Sequence, residues 1–182
     1  KFPLAAITQR PMAMYHSWDS QNAWLRQIHT HNHLFVNPRV ARAAGIEDGG
    51  WMWVESQWGK VRCMASYSEA VEPGTVWTWN AVGKAAGAWH LASDANESQR
   101  GFLLNHLISE ELPGKPGEGM LSNSDPVTGQ AAWYDVRVRI YQAEADEPKT
   151  SWPQFKAVPI PPGTPRAVPR QQSFFAGQGE WQ

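Results

Sequence analysis

A single cysteine in 182 residues, Cys63, leaves no internal disulfide to hold this chain together. Long apolar runs are missing too. None approaches the roughly 20 residues that a membrane-spanning helix needs, and no secretory hydrophobic segment is visible. One-sided charge is also absent: 16 basic and 17 acidic side chains leave a formal net charge of -1. Nothing electrostatic therefore draws the chain to nucleic acid or to an anionic membrane surface. No G-x-S-x-G elbow occurs, and Gly83-Lys84 lacks the spacing of a phosphate-binding loop. No internal repeat is present.

Large apolar side chains, by contrast, are plentiful. Hydrophobic residues make up 42% of the chain, and there are eleven tryptophans, enough for one domain with a proper core. Core packing accounts for about half of those tryptophans; partly exposed ones mark interfaces. Proline recurs at positions 148, 153, 159, 161, 162, 165 and 169, so the sequence divides into a folded domain, residues 1–143, and a Pro-rich extended tail, residues 144–182. Trp152, Phe155, Phe174, Phe175 and Trp181 make that tail a candidate for lying on another domain or subunit. Lysine at position 1, two residues ahead of a strand, is expected of a piece cut from a longer polypeptide.

Along the chain, "LAAI" reads as a buried strand that empties into Thr8, Gln9 and Arg10. "SQNAWLRQI" has helical spacing with Ser20 as N-cap. "PRVARAAG" is a short helix with Pro38 at its first position and Gly45 past its end. A turn at Asp48–Gly50 and a hairpin turn at Trp58-Gly59 bracket two strands, and a further strand follows the turn at Pro73-Gly74. "ESQRGFLLNHLIS" reads as one short helix, and "LPGKPGEGMLSNSDPVTGQ" as loop. Tyr134, Val136, Val138 and Ile140 alternate against Asp135, Arg137 and Arg139, the clearest half-buried strand in the sequence. The pattern is mainly β with short helices between strands, a barrel or compact sandwich and not a βαβ array.

The chemistry available is that of binding. His29, His31 and His33 at period two could offer three imidazoles to zinc, but same-face neighbours on one strand stand about 7 Å apart and do not converge. Cys63 reads as a small buried hydrophobe, and Glu110-Glu111 as solvated surface. Two polar clusters remain. Thr8–Arg10 with His16–Asn22 offers a guanidinium, an imidazole and a helix start that suit a phosphate or pyrophosphate. Asn105 with "SNSDPVTGQ" offers amides and hydroxyls that suit heterocycle edges. Loops capped by their own Asn, Asp and Ser side chains would look the same in sequence.

The order of elements carries a resemblance. A strand ending T-x-R and a loop with His16-Ser17 lead to Val36-Asn37-Pro38, then Ala41–Ile46, Asp48-Gly49, Val54–Gly59 and Pro73-Gly74-Thr75-Val76. With "NHLI", "SDPVTGQ" and "YDVRVRIY" beyond, this run resembles the C-terminal domain of bacterial molybdopterin oxidoreductases of the dimethyl sulfoxide reductase type, from Phe2 to about Glu144. The resemblance implies a six-stranded double-psi β-barrel, aspartate-decarboxylase-like, closing over bis(molybdopterin guanine dinucleotide) with molybdenum, tungsten being the alternative metal. By position, Thr8, Gln9 and Arg10 would meet the cofactor at the first strand end, with Gln9 where the family usually has glycine. His16, Ser17, Ser20 and Gln21 would lie along the pyrophosphate or pterin, and Asn105, Asp125 and Gln130 near the second pterin or guanine. It further implies a catalytic metal ligand and a 4Fe-4S cluster upstream, so that this piece alone is inert, and the sulfur-compound branch of the family. Implied partners are upstream domains of the same polypeptide, an iron–sulfur electron-transfer subunit and a membrane-anchor subunit. The expected compartment is the cytoplasm, with the periplasm as alternative. The competing expectations are a non-enzymatic barrel gripping a peptide or adaptor protein and, third, a metallohydrolase built on the histidine triplet.

Overall fold

A computed structural model describes residues 1–16, 18, 22–80, 82, 92, 94–99, 101–130, 136–147 and 154–164. In the first strand, β1 (Leu4–Gln9), Leu4 and Ala6 are buried and Ile7 is exposed, the period-two burial of a strand with one face on a core. A single helical turn, α1 (Leu25–Ile28), leads to β2 (His33–Val36), whose Leu34 and Val36 are fully buried. The helix α2 (Pro38–Ala43) follows at once. Asn37 caps it: the side-chain oxygen accepts from the Arg39 N–H at 3.0 Å, while the amide group donates to the Val71 carbonyl at 2.8 Å. Gly45 ends it with φ of 72°, a left-handed conformation that glycine adopts without steric cost.

β3 (Trp51–Glu55) and β4 (Gly59–Tyr67) form the expected hairpin, with Ser56–Trp58 as the connection and Gly59 already in the strand. After β5 (Thr75–Trp79) come a short hairpin of β6 (Glu111–Pro113) and β7 (Met120–Ser122), then β8 (Arg137–Gln142). Hydrogen-bonded neighbours run β2-β5-β1-β8-β3-β4, and β4 pairs back to β2. The sheet therefore closes into a six-stranded barrel. Two pairs are parallel, β1 with β5 (Ala5↔Thr75 to Gln9↔Trp79) and β2 with β4 (His33↔Met64 to Val36↔Tyr67). These crossings are those of the double-psi barrel expected from the sequence. One apolar core fills it, including Met52, Val54, Val61, Ala65, Val76 and Val138, sealed by Phe102, Leu104 and Leu107. Cys63 lies in that core, where burial pushes its thiol pKa well up.

Three local readings differ from the outcome. The expected single helix around Phe102 is two 3-10 turns, Asn96–Gln99 and Leu104–Leu107, because Phe102 is drawn wholly into the core between them. The stretch read as loop contains the β6–β7 hairpin. The residues after Glu144 were expected to hold no sheet, yet β9 (Gln154–Phe155) adds to the edge of β4 at Lys60↔Gln154 and Gly59↔Phe155.

That edge pairing is reinforced by charge. Glu55, only 6% exposed, accepts from Lys156 Nζ at 2.6 Å, from Arg139 Nη2 at 2.7 Å and Nε at 3.0 Å, and from the Tyr141 hydroxyl at 3.1 Å. Burial by itself would raise the carboxyl pKa, but hydrogen bonds from Lys156, Arg139 and Tyr141 and the Lys156 charge override it and hold it at about 2. The Lys156 N–H donates to Trp58 O at 2.8 Å, and Gly117 N–H to Pro162 O at 3.2 Å. Residues 154–164 thus lie along the barrel itself, from the β3–β4 turn to the β6–β7 hairpin.

Candidate cofactor site

β1 and β5, being parallel, deliver their C-terminal ends to the same edge, and the register continues one step past them: Asn80 N–H donates to Gln9 O at 2.8 Å. Parallel barrel strands bring functional groups to one mouth in this way. Thr8 is half-buried there, and Gln9 and Arg10 are exposed. Beyond Arg10 the chain folds back. The Arg10 guanidinium lies 3.1 Å from His16 Nε2 and 5.3 Å over the Tyr15 ring, which meets His16 edge-on at 4.9 Å. His16 is held at φ 50°, a conformation uncommon outside glycine that stores about 1 kcal/mol or more of strain. A depression of about 310 Å³ is lined by Arg10 to Tyr15. Ser17, Ser20 and Gln21 lie outside the described residues. The helix expected to start at Ser20 is the one turn α1, and Asn22 Oδ1 receives the N–H groups of Trp24 and Leu25 at its entrance.

The second expected cluster divides. Asp125 shapes its own loop: its Oδ1 accepts from Val127 N at 2.9 Å, Thr128 N at 2.7 Å and Thr128 Oγ1 at 3.0 Å. The backbone N–H and hydroxyl of Thr128 and the N–H of Val127 lower its pKa. The Asp125 N–H closes the loop on Gln130 O at 2.8 Å, and the Gln130 side chain is exposed where the loop closes. Asn105 is exposed on the Leu104–Leu107 turn.

Asn32, inconspicuous in the sequence between two histidines, joins the segment carrying Asn105 to the strand-end edge. It is 2% exposed, and its Nδ2 donates to both Trp79 O at 2.9 Å and Phe102 O at 3.1 Å. The buried Thr78 hydroxyl lies 2.8 Å from Asn32 Oδ1 and 2.8 Å from His33 O. One amide thus pins the end of β5, at Thr78 and Trp79, and the approach to Asn105 to a common point. Asn80 itself holds the second feature that the sequence did not signal. Its Oδ1 is buried without a hydrogen-bond partner, an arrangement that costs about 1–3 kcal/mol unless a donor arrives.

The histidine triplet does not converge. The His31 and His33 rings are 5.9 Å apart, whereas His29 packs 5.4 Å from Trp79. Among the described residues no group of three or more His, Cys, Asp or Glu could hold a metal ion. A separate cleft of about 580 Å³, lined by Phe2, Ser56, Trp58, Leu107, Asn123 and Arg137 among others, also had no signal in the sequence.

The edge therefore offers a cation and an imidazole for an anion, together with an orphaned amide oxygen for an N–H donor. That donor set fits a phosphate-bearing heterocyclic dinucleotide. Fold and site together define a cofactor-binding double-psi barrel. Residues 4–121 match the family described as Molydopterin dinucleotide binding domain, and the chain belongs to that family. It is 65% identical over 177 residues to a sulfite dehydrogenase subunit of Allochromatium vinosum, covering 97% of this chain and 18% of that one. It is 28% identical over 149 residues to dopamine dehydroxylase of Eggerthella lenta, 79% of this chain and 13% of the relative. The chain thus spans less than a fifth of the length of these relatives. The fold is shared with acetylene hydratase from Pelobacter acetylenicus, at a TM-score of 0.56 and 17% identity over 78% of this chain and 18% of that structure.

Proposed function

We propose that this domain holds the guanine form of the cofactor, bis(molybdopterin guanine dinucleotide), in the catalytic subunit of a molybdenum oxidoreductase acting on a sulfur compound. The observation that supports it is the shared edge of β1 and β5: Arg10 beside His16 follows β1, the orphaned Asn80 Oδ1 follows β5, and Asn32 ties the end of β5 to Phe102 O. Arg10 would neutralise a pyrophosphate charge, with His16 holding the guanidinium in place from behind. Asn80 would accept an N–H of a pterin or guanine ring, and Thr8, Gln9, Asn105 and Gln130 would supply neutral contacts around it. When bound, the cofactor supplies the redox chemistry of oxygen-atom or electron transfer, and the barrel supplies binding and orientation.

The sulfur substrate is supported by the 65% identity to a sulfite dehydrogenase subunit. A 4Fe-4S cluster upstream, an iron–sulfur electron-transfer subunit and a membrane-anchor subunit complete the proposal; that this relative is itself one subunit of its enzyme supports partners of some kind. Titration of the 182-residue chain with guanosine 5′-diphosphate, followed by tryptophan fluorescence, tests the binding role. Wild type should saturate, and Arg10→Ala should weaken binding by about tenfold, roughly the worth of one charge-assisted contact. Saturation that is indifferent to Arg10 would overturn the assignment of the edge.

A further inference from the structure

The tail has a part to play at this site. We propose that residues 154–164 are a strap that positions the Asn105 turn, with Phe155 and Lys156 as the positioning residues; the inference rests on the reading of Asn105 as a cofactor contact. Leu104 and Leu107 anchor one side of the turn in the core, but its other side faces the strap. The Phe155 ring stands edge-on to His106 at 5.8 Å and 82°. Strap, strand and turn meet at Gly59, where a Cβ would lie 2.7 Å from Gln154 O and 3.0 Å from His106 O. No side chain fits at that junction, so the three backbones pack directly against one another. The turn is tied on at its far end by Ser56, whose hydroxyl donates to Leu107 O at 2.6 Å.

The same short β3–β4 connection holds the strap. Lys156 donates through its N–H to Trp58 O, and its Nζ reaches Glu55 Oε1 at 2.6 Å and Ser56 O at 3.2 Å. A strap bolted at Lys156 therefore presses Phe155 against His106, next in chain to Asn105. His106 Nδ1 is buried with no hydrogen-bond partner, and burial lowers the pKa of the ring. At that buried nitrogen the ring has no polar tether, so on this side the turn is held by packing against Phe155. The far end of the strap is fixed as well, since Pro162 O accepts from Gly117 N–H and Thr164 sits 3.8 Å from where a Gly119 side chain would start.

The test uses the 182-residue chain with Lys156→Met, Phe155→Ala and the conservative Lys156→Arg, and Ile46→Val as a destabilised control away from the strap. Amide exchange at His106 and Ile108, which donate to Leu103 O and Asn105 O, should quicken about tenfold in the Met and Ala variants through local opening. Guanosine 5′-diphosphate affinity should fall about threefold or more with it, about 0.7 kcal/mol. Lys156→Arg should restore both, and Ile46→Val should move neither. Fast exchange at the Lys156 amide with unchanged His106 and Ile108 exchange would overturn the proposal. If wild type binds no guanosine 5′-diphosphate, the reading of Asn105 fails, and the exchange pattern alone decides whether the strap holds the turn.

Discussion

Glu55→Gln isolates the buried carboxylate that ties two strands and the tail together. In the folded chain this carboxyl titrates at about 2, against an ordinary 4.5. At about 1.36 kcal/mol per unit, that difference is worth about 3 kcal/mol. Arg139 and Lys156 are nearly half exposed, at 46% and 45%, so water screens part of it and about 2 kcal/mol remains. The sign follows from the depressed value. The stability is fully present above 4.5, where the unfolded chain is also ionised. It drains away as pH falls towards 2, because the unfolded state takes up its proton first. Urea unfolding followed by tryptophan fluorescence at several pH values from 7 downwards measures this directly. Glutamine fills the same space and cannot titrate, so other carboxylates cancel between the two proteins. The wild type should lead by about 2 kcal/mol at pH 7, about 4–8 °C in Tm for a chain of this size. The gap should close between about 4.5 and about 2. A gap that is absent at pH 7, or that keeps its size down to pH 2, would refute the reasoning.

Asn32→Ala strands the Trp79 and Phe102 carbonyls in a buried place, and should cost about 2 kcal/mol or more in urea unfolding. Gly59→Ala pushes a methyl into Gln154 O and His106 O and should cost about 1–3 kcal/mol. In a chain truncated before residue 154 the same change should cost clearly less, since one of the two obstacles is gone. Cys63, buried with its thiol pKa pushed up, should resist a thiol reagent in native buffer and react at once in urea.

What could be read in the sequence was local. Asn37-Pro38 announces the start of α2 and Gly45 its end, because capping and left-handed backbone are decided within a few residues. The β3–β4 hairpin shows for the same reason. Asp125 with Thr128 and Gly129 carries its turn chemistry in five residues, which also explains why its Oδ1 is occupied by its own loop. Closure of the barrel depends on pairing Leu4 with Val138 and Ala5 with Thr75, and no periodicity encodes which distant strand a strand will choose. The role of Glu55 had no local signal, since Arg139 and Lys156 lie 84 and 101 residues away in sequence. Arg10 and His16 were legible as a strand end with a nearby polar loop. Asn32 was hidden by the histidines on either side, and the isolation of Asn80 Oδ1 is a property of surroundings that only assembly creates.

The place of β8 in the barrel has a consequence for biosynthesis. It is the last barrel strand to be made, and it bonds β1 on one flank and β3 on the other. A nascent chain still short of residue 137 therefore carries two raw edges, each a template for unwanted partners. Almost the entire domain must clear the ribosome before the ring can shut. With its decisive contacts so far apart along the chain, slow assembly is expected, and both edges stay open to wrong pairing throughout that interval.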